Sequence, residues 1–210
     1  MRKNIWFYTK IFTHNLLPPI IFNHIIKSRG YYVTDDNYIK YGYEIKNSSK
    51  KTTYQFPTVT ITAYDENGDV LATEDQVMGV ISPGEKQAFG SVADCNGKSP
   101  DKVEFTVDSG QKIFSTNEVP SSSFKITGTN ERNDEFGETS ITGNVKNDSK
   151  KDLSDLQVTV LYKKDGKIVC GSSTYVDNLS AGQQKAFEVS DYDIPDHDKY
   201  EVTALDWSMD

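Results

Sequence analysis

The sequence predicts an all-β protein built as two antiparallel β-sandwiches in tandem, and three observations predict it. Ser, Thr, Asn, Asp, Tyr and Val dominate after residue 30 while Leu and Ala are sparse, which is the vocabulary of strands and turns. Apolar residues recur with period two, as a strand with one wet face requires. Four blocks of sequence then occur twice in the same order, so one folding unit is written two times. With 210 residues, 36% hydrophobic and 26% charged, and with 10 Phe and 12 Tyr, the chain can fill two thin cores and is too apolar for disorder. Its formal net charge of −8, with no block of Lys and Arg, excludes nucleic acid as a partner.

Residues 1–30 stand apart from the rest. A basic start precedes an uncharged run, IFTHNLLPPIIFNHII. His14, Asn15, Asn23 and His24 are costly in hydrocarbon, Pro18-Pro19 interrupts any helix, and spanning needs about 20 predominantly apolar residues. The segment reads as a disordered or loosely helical extension, and it also suits translated AT-rich sequence upstream of a true start. The alternative is a degraded or unusual membrane anchor, and a membrane is a partner only in that case.

The first sandwich is placed at 31–108. TDDN (34–37) reads as a hairpin turn, after which Ile39, Tyr41, Tyr43 and Ile45 alternate with polar residues along one strand. The hexamer KNSSKK (46–51) follows, with Asn47 ending the strand and the Ser and Lys residues forming a solvated crossing. Val59, Ile61 and Ala63 form the next inward face. ENGD is a hairpin turn, because Asn before Gly tolerates positive φ. VISPGEKQAF (80–89) delivers Phe89 to the core, and DKVEFTV (101–107) is the last strand. Residues 109–122, with a proline and a serine run, are the linker.

The second sandwich, 123–210, repeats this. NDEFGE (133–138) answers the first turn, Ile141, Gly143 and Val145 the first inward face, and KNDSKK (146–151) the hexamer, with Asn147 against Asn47. LYKKDGKIV (161–169) answers AYDENGDVL (63–71), placing Tyr162 against Tyr64 and Gly166 against Gly68. NLSAGQQKAF (178–187) sets Gly182, Ala186 and Phe187 against Gly84, Ala88 and Phe89, and DKYEVTA (198–204) closes the copy. The first copy has one residue more between Val59 and Tyr64 than the second has between Val158 and Tyr162, which predicts a β-bulge. Short strands at regular spacing with no helical stretch indicate immunoglobulin-like sandwiches. Each copy then buries its own core, and a cut near Pro120 is expected to release two compact halves.

The second copy, ITGNVKNDSKKDLSDLQVTVLYKKDGKIV followed by YVDNLSAGQQKAFEV, resembles the FxLYD-type domain of extracytoplasmic proteins and lipoproteins of Gram-positive bacteria. The first copy is similar to a related domain of the same kind of protein. The naming motif reads ITAYD at 61–65, keeping Tyr64 and Asp65, and TVLYK at 159–163, keeping Leu161 and Tyr162. The resemblance implies a β-sandwich in the cell envelope or secreted, and it carries no catalytic residues.

The residues themselves offer little catalytic chemistry. His14, His24 and His197 are the histidines, and His197 lies in DYDIPDHD with no nucleophile elbow in the chain. SxxK occurs at Ser48 with Lys51 and Ser122 with Lys125, in loops or strand starts where that motif does not act. The chain is therefore read as non-enzymatic and without a cofactor. Cys95 and Cys170 sit at non-equivalent places and read as small strand residues, with no metal spacing. Asp191, Asp193, Asp196 and Asp198 are the candidate Ca²⁺ ligands, against the plainer reading of a solvated acidic loop. Tyr31, Tyr32 and Tyr38 are the candidate contact surface, since tyrosines serve protein or glycan contact as well as they serve sheet faces. The expected function is a spacer or interaction module of a bacterial cell-surface protein, with an unknown protein or glycan as partner. A calcium-dependent or glycan-binding adhesin is the alternative.

Overall fold

A computed structural model describes residues 26–113 and 119–207. In the first half the strands are β1 (Ile26–Val33), β2 (Tyr38–Lys46), β3 (Thr53–Gln55), β4 (Thr58–Tyr64), β5 (Val70–Val77), β6 (Lys86–Asp94), β7 (Lys102–Asp108) and β8 (Gln111–Ile113). After a 3-10 turn at Ser121–Ser123 come β9 (Phe124–Asn133), β10 (Glu138–Asn147), β11 (Leu153–Lys164), β12 (Lys167–Leu179), β13 (Gln184–Tyr192) and β14 (Lys199–Asp206). All pairings are antiparallel.

Each half is a sandwich of two three-stranded sheets: β1-β2-β6 over β5-β4-β7, and β9-β10-β13 over β12-β11-β14, with β3-β8 as a small extra sheet. This is the A-B-E over C′-C-F order of an immunoglobulin-like fold. The period-two residues fill the cores. Ile39, Tyr41, Tyr43, Ile45 and Phe89 meet Val59, Ile61, Ala63 and Phe105 in the first. Ile141, Val145, Phe187 and Val189 meet Val158, Val160, Tyr162 and Ala204 in the second.

Three details differ from the sequence reading. Strand β1 begins at Ile26 and pairs with β2, so residues 26–30 belong to the first sheet, while residues 1–25 of the expected extension lie outside the described residues. Strand β8 falls inside the stretch read as linker and pairs with β3. The copies also align differently around the tyrosines. Tyr64 pairs with Lys102 and Ala63 with Val103, whereas Lys163 pairs with Lys199 and Tyr162 with Tyr200. Ala63 therefore stands where Tyr162 stands, and Tyr64 answers Lys163. The register shift of a bulge is present at this place in both copies, between Ala63 and Tyr64 and between Tyr162 and Lys163. The extra residue sits in the turn instead: Asp165 (φ 49°) and Gly166 (φ 74°) make a tight two-residue reversal, while the first copy needs Asp65 through Asp69.

The two sandwiches are docked face to sheet. Gly30 pairs with Gly42 and Gly42 with Gly90, so a row of glycines crosses β1, β2 and β6. The main chain of β12 lies in that row. A Cβ on Gly30 would overlap the carbonyl oxygen of Ile168, one on Gly42 would stand 2.9 Å from the carbonyl carbon of Cys170, and one on Gly90 would overlap the carbonyl carbon of Gly171. Three strands span about 10 Å and so do three residues of extended chain, so β12 crosses the first sheet nearly at right angles. Isolated strand glycines mark such close backbone approaches.

Candidate functional surfaces

Three of the four acids of DYDIPDHD are each held by different partners. Asp191 accepts hydrogen bonds from the Lys40 ammonium at 2.5 Å and the Ser172 hydroxyl at 2.6 Å, which ties the second sandwich to the first. Asp193 has φ 51°. Asp196 pairs with Lys164 at 2.6 Å, and the hydrogen bond and charge of that ammonium hold its carboxyl below the usual range. Asp198 accepts the Asp165 N–H at 2.9 Å and so pins the β11–β12 turn. Among the described residues no three His, Cys, Asp or Glu side chains converge as metal ligands. The loop's visible work is to fasten neighbouring elements.

The tyrosines divide between two faces. Tyr32 pairs with Lys40, and Tyr38 lies two residues before Lys40, so both share its outward face; Val92 pairs with Lys40 from the other side. Tyr31 pairs with Tyr41 and points to the core face at the sheet edge. Tyr32, Tyr38 and Val92 are exposed, and so is Tyr192, which follows Asp191. Lys40 itself is only 6% exposed, and its charge is answered by Asp191.

His197 is held between the Pro195 carbonyl at 2.9 Å and the Glu131 carboxylate at 3.3 Å, with its ring edge-on to Tyr162. Neither polar partner is a Ser, Thr or Cys that the imidazole could deprotonate. Ser48 lies in the hexamer loop and Ser122 in the 3-10 turn. Both cysteines are free and buried, and burial pushes the Cys170 thiol up to about 12 and raises that of Cys95.

A cleft of about 650 Å³ opens where the two sandwiches and the linker meet. Its floor is apolar, from Ala88, Phe124, Ile126, Val202 and Ala204, and its rim carries Glu44, Glu85, Lys86 and Glu201. Glu85 clamps the linker, accepting the N–H of Ser82 at 2.8 Å through one oxygen and that of Ser121 at 2.8 Å through the other. From the second sandwich Asp206 accepts the Val119 N–H at 3.0 Å.

Sequence reasoning missed the Lys40–Asp191 tie and the glycine row. The first had no signal, because the partners are far apart in the chain. The second had one: Gly42 inside YGYE and Gly90 inside FGS are lone glycines in alternating strands. Fold and surface together define a two-sandwich, immunoglobulin-like protein with a built junction. No protein-family model matches the chain, and no curated protein matches it.

Proposed function

We propose that the chain is a non-catalytic, extracytoplasmic spacer and interaction module of a bacterial cell-surface protein. The observation that carries this reading is the glycine row. It lets the main chain of one sandwich seat against the sheet of the other, so the pair presents its outer surfaces at a fixed spacing and angle. The likeness of the second copy to the FxLYD-type domain, and of the first to a related domain of the same kind of protein, supports the envelope location. Small-angle scattering tests the rigid spacer: a single compact particle agrees with it, and a bimodal or extended distribution defeats it. Protease shaving of intact source cells tests the location, with removal of the protein expected and retention inside the cell the contrary result.

A second reading keeps the fold and adds binding: the exposed Tyr32, Tyr38 and Val92 on the outward face of the first sheet suit a glycan or protein ligand. A glycan array on the wild type and on Tyr32→Ser/Tyr38→Ser decides it, since binding that survives the substitutions is not theirs. For the calcium version, an unchanged melting midpoint in Ca²⁺ disposes of the acidic loop as a metal site.

A further inference from the structure

One ion pair stands apart from the rest. The Lys40 side chain is 7% exposed, whereas the other lysines paired with acids among the described residues run from 16% to 66%. Lys40 rises from the outer face of β2, two residues before Gly42 of the glycine row, and Asp191, near the end of β13, reaches it from the second sandwich. A buried lysine–aspartate pair loses in desolvation about what it gains in attraction, so its charges alone do not explain its place.

The Asp191 carboxyl group is held at both oxygens. Its Oδ1 accepts the Lys40 ammonium at 2.5 Å and the Tyr192 N–H at 2.8 Å, and its Oδ2 accepts the hydroxyl of Ser172 in β12 at 2.6 Å. A nitrogen that close to one carboxyl oxygen lies roughly 3–3.5 Å from the carboxyl carbon, which is reacting distance. Between separate molecules in water an amine and an acid do not condense to an amide. Groups held in contact have effective molarities of roughly 10⁵–10⁸ M, which reverses that balance. A neutral amide also costs less to enclose than two charges.

We propose that Lys40 and Asp191 join in an amide bond that staples the two sandwiches together. The ammonium gives one proton to Oδ1, and the lone pair so freed on Nζ attacks the carboxyl carbon. Negative charge gathers on Oδ2, where the Ser172 hydroxyl already donates. A second proton passes from the nitrogen to Oδ1, which leaves as water while the Oδ2 carbonyl re-forms. One C–N bond is made, one C–O bond is broken, and no oxidant, reductant or further reactant is used. The Asp191 side chain, 26% exposed, gives the water a way out. The bond ties residues 151 positions apart, so it restricts the unfolded chain as well as fixing the junction.

The bond rests on the docked junction of the spacer reading, and the intact mass of the full-length chain tests it. The wild type should weigh one water less than its sequence, and fragmentation should place the loss on a branched peptide joining Lys40 to Asp191. Lys40→Arg keeps the ion pair but offers no reactive amine, so it should fold and have its full sequence mass. A wild type at full sequence mass overturns the proposal, and so does a water loss that persists in Lys40→Arg. Followed from the moment of cell-free synthesis, Ser172→Ala should form the bond roughly a hundredfold more slowly, as the loss of one oxyanion donor predicts. An equal rate overturns the chemistry assigned to that hydroxyl. Scattering separates the bond from the spacer reading: full mass in a single compact particle defeats the bond alone, and full mass in an extended one defeats both.

Discussion

Asn47 and Asn147 show why the hexamer is written twice. Both are almost fully enclosed, at 1% and 0% exposure. Asn47 donates from its amide to the carbonyls of Thr52 at 2.7 Å and Ile81 at 2.9 Å, and accepts the Ser49 N–H at 3.0 Å. Asn147 does the same with Lys151 at 2.8 Å, Leu179 at 3.1 Å and Ser149 at 3.0 Å. One side chain thus satisfies the buried groups of two loops, which no apolar residue can do. Asn47→Ala and Asn147→Ala should each lower stability by about 1–3 kcal/mol in urea unfolding, because buried carbonyls lose their donors. Gln157 is the opposite case, fully buried with neither amide atom hydrogen-bonded among the described residues. Gln157→Leu should raise the melting midpoint, by about 1 kcal/mol of stability or more, since an unpaired buried amide costs that much. Cys170 sets a pH dependence whose sign follows from its raised pKa. The folded state keeps the proton between the ordinary thiol value of 9.0 and about 12, so its contribution is whole below that window and is lost as pH climbs through it. Cys170→Ala should flatten part of the alkaline loss of stability, leaving the part due to Tyr41, which burial also raises to about 12. Native thiols should stay unreactive toward a thiol reagent until the chain unfolds.

At the scale of elements, alternation and turn chemistry carried most of the legible information. Ile39, Tyr41, Tyr43 and Ile45, and in the other copy Ile141 and Val145, face inward as period two requires. The tyrosine alignment failed because a residue inserted in a turn and a residue inserted in a strand shift a sequence comparison equally. Only the pairing of β4 with β7 and of β11 with β14 separates them. The candidate surfaces were less legible, since the partners of Asp191 and Lys40 come together through the docking of whole sheets. That docking rests on Gly30, Gly42 and Gly90, whose row leaves no room for a side chain. Gly90→Ala should therefore cost about 1–3 kcal/mol by forcing apart packed backbones, and should loosen the junction. The measurement is paired: a lower urea midpoint together with a larger radius of gyration. A lower midpoint with unchanged dimensions would place the damage inside the first sandwich.

For the whole molecule, the question is whether a face that docks so closely can also build a filament. A head-to-tail contact continues indefinitely if every unit offers both surfaces. Here the second sandwich carries Asn130, Thr142 and Glu188 across the row where the first has its glycines. Side chains there keep any further main chain at a distance, so the docking is used once per chain. The same junction bears on whether the halves are separable. Lys40–Asp191, the Gly90 bonds to Ser173 and the seating of Leu205 and Trp207 against the first core all cross it. Glu85 and Asp206 hold the linker at Ser121 and Val119 besides. Cutting the chain between the halves removes one covalent tie and none of these contacts. A protease site inserted between Ser115 and Thr116 should therefore give a cleaved protein that still elutes as one particle, where the sequence alone pointed to two. The same cleavage in Gly90→Ala should release separate halves. If the cleaved wild type itself separates at micromolar concentration, the junction is too weak to fix the spacing that a rigid spacer needs.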